Sequence, residues 1–412
     1  MKRVFLYYIC LCASLVCACA LASCDKNNEL EPKYGNPGEE MERTMIVYMA
    51  GENTLARYTA ADSLEIAQGL SSIPEDARVV VFIDDTRSSR ICVGTRTTPL
   101  QTVLTYEDNI NSTDSASMLS VLDYIVRTYP ARHYGMTFWS HASGWVTHPG
   151  AALAPRRSFG IDNGRRDPYT NDGREMNIST LARVLSHLPH MDYLFFDACF
   201  MQCVEVAYEL RNVADWIIAS PAEIPGDGAP YQYVVSPLCQ AEADISGAVQ
   251  AYYDYYNAGE GHRVYYGVVL SAVRTSHVEA LADATRSLAQ RLFAEPEELQ
   301  LDSVQRYCLL DESDYYTEYY DMASLIYHNA SVGEYEAWRA AFDDAVPYTG
   351  ISDYWYSALV RPHAVPVNDH VHTGAVSIYT PGVRLNRDES VAEQWDEDYR
   401  STAWYAALGL RN

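Results

Sequence analysis

The feature that most constrains the fold is a series of short apolar runs that alternate with helical patterns. Four runs have the length and the β-branched or aromatic composition of buried strands: Thr44–Ala50 (TMIVYMA), Arg78–Ile83 (RVVVFI), Gly135–Ser140 (GMTFWS) and Tyr193–Ala198 (YLFFDA). Segments with helical spacing separate them. Buried strands joined by helices favour a largely parallel sheet covered on both faces, so the sequence predicts a three-layer α/β/α fold.

The rest of the pattern sets the expected boundaries of two regions. Residues 144–176 hold no long apolar run and predict one long loop, and Met201–Leu210 predicts a helix directly after the fourth strand. From about residue 240 the pattern becomes mainly helical, with a late strand at Ala375–Thr380. We expect a first domain over 44–240 and a helical region over 241–412 whose late strand completes the fold.

The amino terminus predicts export and attachment to a membrane. A basic pair precedes an apolar run from Val4 to Ala22, and small residues lead to Cys24, where the sequence turns polar. A Cys at the first mature position resembles a bacterial lipobox, which predicts a lipoprotein signal peptide over 1–23 and lipidation of Cys24. A transmembrane anchor is the alternative, although the run is barely long enough. Residues 24–43 form a predicted solvated tether that holds the protein at the cell envelope, at the outer membrane or cell surface.

The strong negative charge limits the partners of the mature chain. Loss of residues 1–23 removes Lys2 and Arg3 and no acid, so the formal charge changes from −25 to −27. Such a field disfavours nucleic acid and anionic lipid surfaces and favours basic peptides. We expect protein or peptide substrates with basic side chains, no nucleic acid, and membrane contact through the lipid anchor only.

The cysteine count indicates a free thiol. Besides the signal-peptide cysteines and Cys24, an odd number of cysteines remains, without paired CxxC spacing, namely Cys92, Cys199, Cys203, Cys239 and Cys308. An exported disulfide scaffold would have denser cysteines. At least one thiol is therefore expected to be free.

Two chemically useful residues follow consecutive predicted strands. His141 comes after GMTFWS and Cys199 after YLFFDA, and parallel sheets place their sites at the carboxyl ends of strands. An imidazole can deprotonate a thiol, and a helix after Cys199 would lower the thiol pKa and stabilise an oxyanion. Alone, each residue is more often a core or turn residue, but the joint placement favours a catalytic pair.

Two segments resemble the signature of the clostripain family of cysteine peptidases, relatives of the caspases, legumains and gingipains. They are Phe138–Trp145 (FWSHASGW) and Asp192–Leu210 (DYLFFDACFMQCVEVAYEL). The resemblance implies a caspase-like fold and a cysteine endopeptidase, and it covers residues 44 to about 385. Four more stretches share the family pattern: TMIVYMAGENTL at 44–55, IASPAEIPGDGAPY at 218–231, YYDMASLIY at 319–327 and TGAVSIYTP at 373–381.

The resemblance also implies roles for individual residues. His141 would be the general base and acid, Cys199 the nucleophile, and the backbone N–H groups of Cys199 and Ala142 the oxyanion hole. The family usually has Gly directly after the His, so Ala142 is a departure. Alanine fits there without strain only if its φ is negative. The rival interpretations are a degenerate peptidase scaffold that binds a ligand at the cell surface, for which Ala142 is the hint, and a transferase that uses the same dyad.

Substrate preference would follow from two acids. Asp197 resembles the family's carboxylate at the floor of the S1 pocket, and Asp227 in the PGDG turn is a second candidate. A carboxylate pairs bidentately with a guanidinium, so cleavage after Arg, and less often after Lys, is expected. The alternative for Asp197 is an acid that stabilises a helix amino terminus, and the alternative for Asp227 is an ordinary turn residue. Asp84 is assigned to a surface turn.

The predicted loop between His141 and Cys199 carries several arginines. In several family members such a loop is cut by the enzyme itself, and we predict self-cleavage after Arg156 or Arg157; solvated arginines are the alternative. The stretch 162–173 is rich in Asp and Asn oxygens but lacks EF-hand spacing. No cofactor is firmly predicted: Ca²⁺ is the one candidate, and no other metal site is expected.

Overall fold

In the computed structural model, the described residues are 38–146, 159–257, 267–307, 319–358, 360–361, 363–383 and 389–410. The strands are β1 (Met41–Ala50), β2 (Ala77–Asp84), β3 (Ser89–Thr95), β4 (Gln101–Thr105), β5 (Ala131–Trp139), β6 (Phe159–Asp162), β7 (Arg174–Met176), β8 (Met191–Asp197), β9 (Ala214–Ala219), β10 (Val269–Arg274), β11 (Tyr319–Asp321), β12 (Tyr348–Ile351), β13 (Tyr354–Tyr356), β14 (Ala364–Pro366) and β15 (Ser377–Tyr379). The helices are α1 (Thr59–Gly69), α2 (Ser115–Thr128), α3 (Ile178–Leu185), α4 (Val204–Glu209), α5 (Tyr231–Leu238), α6 (Ile245–Asn257), α7 (Val278–Leu292), α8 (Met322–Asn329), α9 (Val332–Ala345), α10 (Glu389–Arg400) and α11 (Ala403–Leu408).

Nine strands form the central sheet in the order β12-β10-β9-β8-β5-β1-β2-β3-β4. The five middle strands, from β9 to β2, pair in parallel, and the outer pairings are antiparallel. The predicted, largely parallel sheet is confirmed. The chain order reverses between β1 and β5, because β2 lies on one side of β1 while β5, β8 and β9 follow on the other. Such a reversal opens a crevice at the carboxyl ends of the strands.

Both faces of the sheet are covered, as the apolar runs predict. Along β1, Ile46 and Tyr48 belong to one buried cluster, and Met45 and Val47 belong to the other. This alternation follows from the two-residue repeat of a strand. Side chains of α2, α3, α4 and α7 complete the first cluster, and side chains of α1, α5 and α6 complete the second. The three-layer prediction is confirmed.

Two local expectations differ from the structure, and a third element, the late strand, is found where it was predicted. The segment predicted as one long loop contains a hairpin of β6 and β7, because strands of four and three residues leave no long apolar run. The helix expected from Met201 begins at Val204. The late strand β15 pairs with β11 in a separate two-stranded sheet, while β10 and β12 extend the central sheet. Among the described residues, no helix has the length and apolar character needed to cross a membrane.

Candidate active site

The predicted catalytic residues lie at the same edge of the sheet. β5 and β8 are parallel neighbours in which Trp139 is opposite Asp197. His141 and Cys199 each lie two residues beyond that pair, so both leave the sheet at the carboxyl ends of adjacent strands. Ser140 anchors this edge, since its Oγ donates to the carbonyl of Ala50 at the end of β1 (2.7 Å). Three neighbouring strand ends thus surround the site.

A threonine that follows β1 orients the imidazole of His141. Thr54 Oγ1 lies 2.9 Å from His141 Nε2 and 3.0 Å from Asn171 Oδ1. The backbone N–H of Thr54 also donates to Asn171 Oδ1 (3.2 Å), which identifies that atom as the acceptor oxygen. The Thr54 hydroxyl proton goes to Asn171, so Nε2 must donate to Thr54 Oγ1. This network assigns the proton to Nε2 and leaves Nδ1 as the basic nitrogen.

Burial opposes the charged form of both members of the predicted dyad. Burial lowers the pKa of His141 to about 4. Burial, and then the nearby carboxylate of Glu223, raises the pKa of Cys199 to about 12. The backbone N–H of Ile224 donates to the Cys199 sulfur (3.4 Å). The expected lowering of the thiol pKa by a helix is wrong, because burial raises this pKa and the helix after Cys199 begins only at Val204.

A strained turn follows Cys199. Phe200 has a φ of 60°, which is uncommon for a residue with a side chain. Its N–H donates to the carbonyl of Ala222 (3.0 Å), and its ring lies 5.9 Å from that of Tyr319. The Tyr319 hydroxyl donates to the carbonyl of Ser143 (2.8 Å). Tyr319 therefore connects the turn after Cys199 with the turn after His141.

The alanine that departs from the family pattern causes no left-handed strain. Among the described residues other than glycine, those with a positive φ are Arg166, Phe200, His363 and Ala375. Ala142 forms a bridge with Phe159, and the N–H of Gly160 donates to the His141 carbonyl (2.9 Å). The β6 segment thus supports the backbone where an oxyanion donor is expected.

Asp197 is the last residue of β8, is 3% exposed and precedes Cys199 by two residues. Its negative charge is among the causes that raise the pKa of Cys199. One carboxylate oxygen accepts the N–H of Ala229 (2.9 Å), and the other accepts the hydroxyl of Tyr231 (2.8 Å). Burial raises the pKa of Asp197 to about 6.

A second buried acid close enough to feel the charge of Asp197, Asp62, was not predicted from the sequence. It lies on α1 and is 2% exposed. Burial, followed by the charge of Asp197 and smaller effects of Glu65 and Asp227, raises the pKa of Asp62 to about 9. Asp62 Oδ2 has no hydrogen-bond partner among the described residues. The predicted S1 acids Asp197 and Asp227 therefore come together with Asp62, and no described basic side chain forms an ion pair with Asp62 or Asp197. We call Asp62, Asp197 and Asp227 the S1 cluster.

A second acidic cluster is partly compensated by an arginine of the same chain. Glu52, Asp84 and Asp162 are buried, with one oxygen of each within 4.8 Å of the others. Arg166 Nη1 lies 3.3 Å from Glu52 Oε2 and 2.9 Å from Asp84 Oδ1. We call these four residues the Arg166 cluster. The surface position expected for Asp84 is wrong, because the hairpin of β6 and β7 covers this residue.

Parts of the predicted processing and calcium segments can be located. Arg156 and Arg157 lie outside the described residues. Arg165 pairs with Asp172 (2.6 Å). Asp162, at the start of the oxygen-rich stretch, accepts the N–H of Gly164 (2.7 Å) through one carboxylate oxygen. A role for Ca²⁺ stays a prediction.

Comparison with known proteins decides the family. The sequence model of the clostripain family matches residues 47–410. The chain belongs to the clostripain family. It is thus a cysteine-type peptidase by family, and its mixed sheet with flanking helices is the caspase-like α/β fold. No curated protein matches the chain.

Solved clostripain-family structures cover nearly the whole chain. A secreted C11 cysteine protease from Bacteroides thetaiotaomicron, in complex with an irreversible peptide inhibitor, is 30% identical with a TM-score of 0.74, and the match covers 89% of this chain and 98% of that chain. An inactive zymogen of a C11 protease from Parabacteroides distasonis is 25% identical with a TM-score of 0.73, covering 90% and 99%.

The described cysteines of this clostripain-family chain differ in exposure. All four are free: Cys92, Cys199, Cys203 and Cys239. The prediction of at least one free thiol is confirmed. Cys199 is partly exposed, whereas the other three are buried. Within the described part of the chain, Cys199 is the thiol that a substrate can reach.

Proposed function

We propose that this protein is an exported, lipid-anchored endopeptidase that cleaves after Arg, and less often after Lys, through an acyl-enzyme on Cys199. The observation that carries the preference is the S1 cluster, where Asp62 and Asp197 are buried without a described cationic partner. Buried carboxylates are costly unless a cation compensates them. A substrate guanidinium supplies that cation and can bind a carboxylate bidentately, which favours Arg over Lys.

The proposed chemistry assigns one step to each group. His141 Nδ1 takes the proton of the Cys199 thiol, and the thiolate attacks the scissile carbonyl carbon. The backbone N–H groups of Cys199 and Ala142 stabilise the resulting oxyanion. The protonated imidazole gives its proton to the leaving amine, and a thioester remains on Cys199. A water molecule that is deprotonated by His141 then hydrolyses the thioester.

The burial of His141 and Cys199 has a consequence for this mechanism. Because burial opposes charge on both groups, the thiolate–imidazolium pair forms only as the substrate enters and the proton moves. Thr54 keeps a proton acceptor at Nε2, so that the positive imidazolium has a hydrogen-bond partner during the reaction. In this proposal Thr54 acts on the reaction through His141 and does not touch the substrate.

A pair of peptide amides tests the proposal. Wild-type protein should release the reporter from an Arg-amide substrate and much less from the matched Gln-amide. Cys199→Ala should abolish both signals, whereas Cys92→Ala, which removes a buried thiol on β3, should retain them. Equal signals from wild type and Cys199→Ala would favour the degenerate scaffold. An added amine nucleophile that appears in the product would indicate a transferase.

We also propose that the peptidase cuts its own chain after Arg156 or Arg157. The support is the position of these residues between Val146 and Phe159, on the segment that joins the two catalytic turns. Arg165 and Arg166, by contrast, are held in ion pairs. Intact mass after incubation should show two fragments from wild type. Cys199→Ala should remain whole, and an Arg156→Ala/Arg157→Ala variant that is cut at the same place would contradict the assignment.

Attachment to the cell envelope rests on the lipobox-like sequence at Cys24. Export agrees with the Bacteroides thetaiotaomicron relative, which is described as secreted. A palmitate analogue supplied to expressing cells should label the wild-type protein and should not label Cys24→Ser. Equal labelling of both would contradict lipidation at this residue.

A further inference from the structure

We propose that His328, Asp369 and His372 form a zinc-binding site distinct from the catalytic pair. One ligand atom of each residue lies within 4.8 Å of the other two. His328 Nε2 is 3.0 Å from Asp369 Oδ2, and His372 Nδ1 is 2.8 Å from Asp369 Oδ1. Three donor atoms therefore converge on one small volume.

The chemistry of these donors selects the metal. Two imidazole nitrogens and one carboxylate oxygen match the three-ligand sets that hold Zn²⁺ with a fourth position open to water. Calcium and magnesium prefer sites made of oxygen atoms. The side chains of His328, Asp369 and His372 are 24%, 12% and 22% exposed, so solvent can reach the fourth position. The Arg166 cluster is less suited to zinc. It is buried, it offers only oxygen ligands, and it already contains a guanidinium.

Neighbouring groups hold the ligands in place. Ser324 Oγ donates to Asp369 Oδ2 (2.8 Å), and the Tyr327 ring stacks on His372 with centroids 3.3 Å apart. The N–H of Thr373 donates to the Asp369 carbonyl (2.9 Å), which closes the turn that carries both Asp369 and His372. Such outer contacts orient metal ligands and contribute to affinity.

Zinc would replace the hydrogen bonds that now join these side chains. In the metal-free arrangement each imidazole donates a proton to one oxygen of Asp369. Coordination needs the lone pairs of the same nitrogens, so each ring would bind as the tautomer protonated at its other nitrogen. The short spacing between donors means that binding requires only this change and a small separation of the side chains.

The site would fasten one helix to the segment that follows β14. His328 lies near the end of α8, whose amino terminus is capped by Asp321. Asp321 also accepts the N–H groups of Gly374 and Ala375 (2.9 Å each). At the opposite end of α8, zinc would therefore replace the present hydrogen bond between His328 and Asp369 with metal coordination. Because a ligand that binds the folded state stabilises it, excess zinc should raise the melting temperature.

Metal titration of the mature chain tests the proposal. We would use a Cys199→Ala background, so that the thiolate cannot bind the metal, and a chromophoric chelator as the competitor. The parent should bind one equivalent of zinc tightly, and Co²⁺ should give the intense visible absorption of a tetrahedral site. His328→Ala/His372→Ala should weaken binding by more than about tenfold. His187→Ala/His190→Ala removes two histidines elsewhere and should leave binding unchanged.

A second measurement tests the zinc site without substituting any of its residues. Zinc should protect His328 and His372, but not His187 and His190, from diethyl pyrocarbonate, as read by peptide mass spectrometry. A parent protein that binds no equivalent of zinc, or that retains full affinity in the His328→Ala/His372→Ala variant, would overturn the proposal. Equal modification of all four histidines with and without zinc would also overturn it.

Discussion

The two acidic clusters near the carboxyl edge of the sheet differ in one respect that indicates their roles. In the Arg166 cluster, the chain supplies its own guanidinium to Glu52 and Asp84. In the S1 cluster, Asp62 and Asp197 are as deeply buried, but no described basic side chain pairs with them. Burial raises the pKa of Asp62 and Asp197. It also raises the pKa of Asp84 in the Arg166 cluster to about 8, where the charge of Arg166 acts in the opposite direction.

The comparison separates stability from specificity. A carboxylate cluster that contains a cation holds the hairpin of β6 and β7 against β2, whereas we propose that the cluster without a described cation is completed by a basic side chain of the substrate. Uncompensated, perturbed acids in a cleft are typical of functional sites. Substitutions in the Arg166 cluster should therefore change folding, and substitutions in the S1 cluster should change substrate choice.

The largest effect is expected from Asp197→Asn. Loss of this charge leaves a substrate guanidinium without its main partner, so kcat/KM for an Arg-amide should fall by about 100-fold or more. The Gln-amide serves as the control, and its kcat/KM should fall only slightly. Both substrates should be assayed on the same preparation of the variant. An equal fall in kcat/KM for the two amides would mean that Asp197 has only a structural role.

Arg166→Met tests the other half of the comparison. Removal of the guanidinium leaves Glu52, Asp84 and Asp162 without their cation, and the free energy of unfolding should fall by about 3 kcal/mol. The preference for Arg over Gln in the surviving folded protein should not change. Arg165→Met removes an exposed pair with Asp172 and should cost less than about 1 kcal/mol in the same urea titration. A changed preference for Arg over Gln in Arg166→Met would contradict the assignment of stability to the Arg166 cluster and of substrate choice to the S1 cluster.

Thr54→Val tests the orientation of His141. Loss of the hydroxyl at Nε2 frees the imidazole to rotate and to change tautomer, so kcat should fall about tenfold with little change in KM. Thr54→Ser keeps the hydroxyl and should restore most of the rate. Failure of Ser to restore the rate would show that Thr54 acts through packing.

The smallest effect on substrate preference is expected from Asp62→Asn, with Asp197 still in place, and its main effect should be on how stability depends on pH. The pKa of Asp62 rises from 3.8 to about 9 on folding, so the folded state keeps a proton that the unfolded chain releases between these values. Stability therefore falls as pH rises through this window. The Asn variant lacks this proton and should lose less stability than wild type between pH 5 and pH 8 in urea titrations. Identical pH dependence in both proteins would contradict the burial of an uncompensated Asp62.

The sequence predicted the residues that follow its strongest signals. The runs before His141 and Cys199 identify two strands, and parallel strands bring their carboxyl ends together whatever the order of the remaining chain. Asp197, two residues before Cys199, was assigned through the resemblance to the clostripain family. Thr54 and Asp62 could not be found in this way. They reach the site only because β1 lies beside β5 and α1 packs next to it, and that order is set by contacts far apart in the chain.

The mistaken details have a common physical cause. The left-handed Phe200 turns the chain before α4 begins, so the helix starts later than its apolar pattern suggests. Residues 144–176 were predicted as one long loop because β6 and β7 are short. The buried acids that pair with Arg166 come from β2 and the segment after β1. In both places a tertiary contact determines the structure, and local composition does not report it.

The central claim is that Cys199 reacts beside a pocket that requires a cationic side chain. The most direct measurement is covalent labelling of wild type and Asp197→Asn by two peptidyl ketone probes that differ only in Arg or Gln at the residue before the reactive carbon, read by peptide mass spectrometry. We expect the adduct on Cys199, much faster labelling by the Arg probe, and loss of that advantage in Asp197→Asn. Equal rates for the two probes on wild type, or an adduct on a different cysteine, would contradict the account.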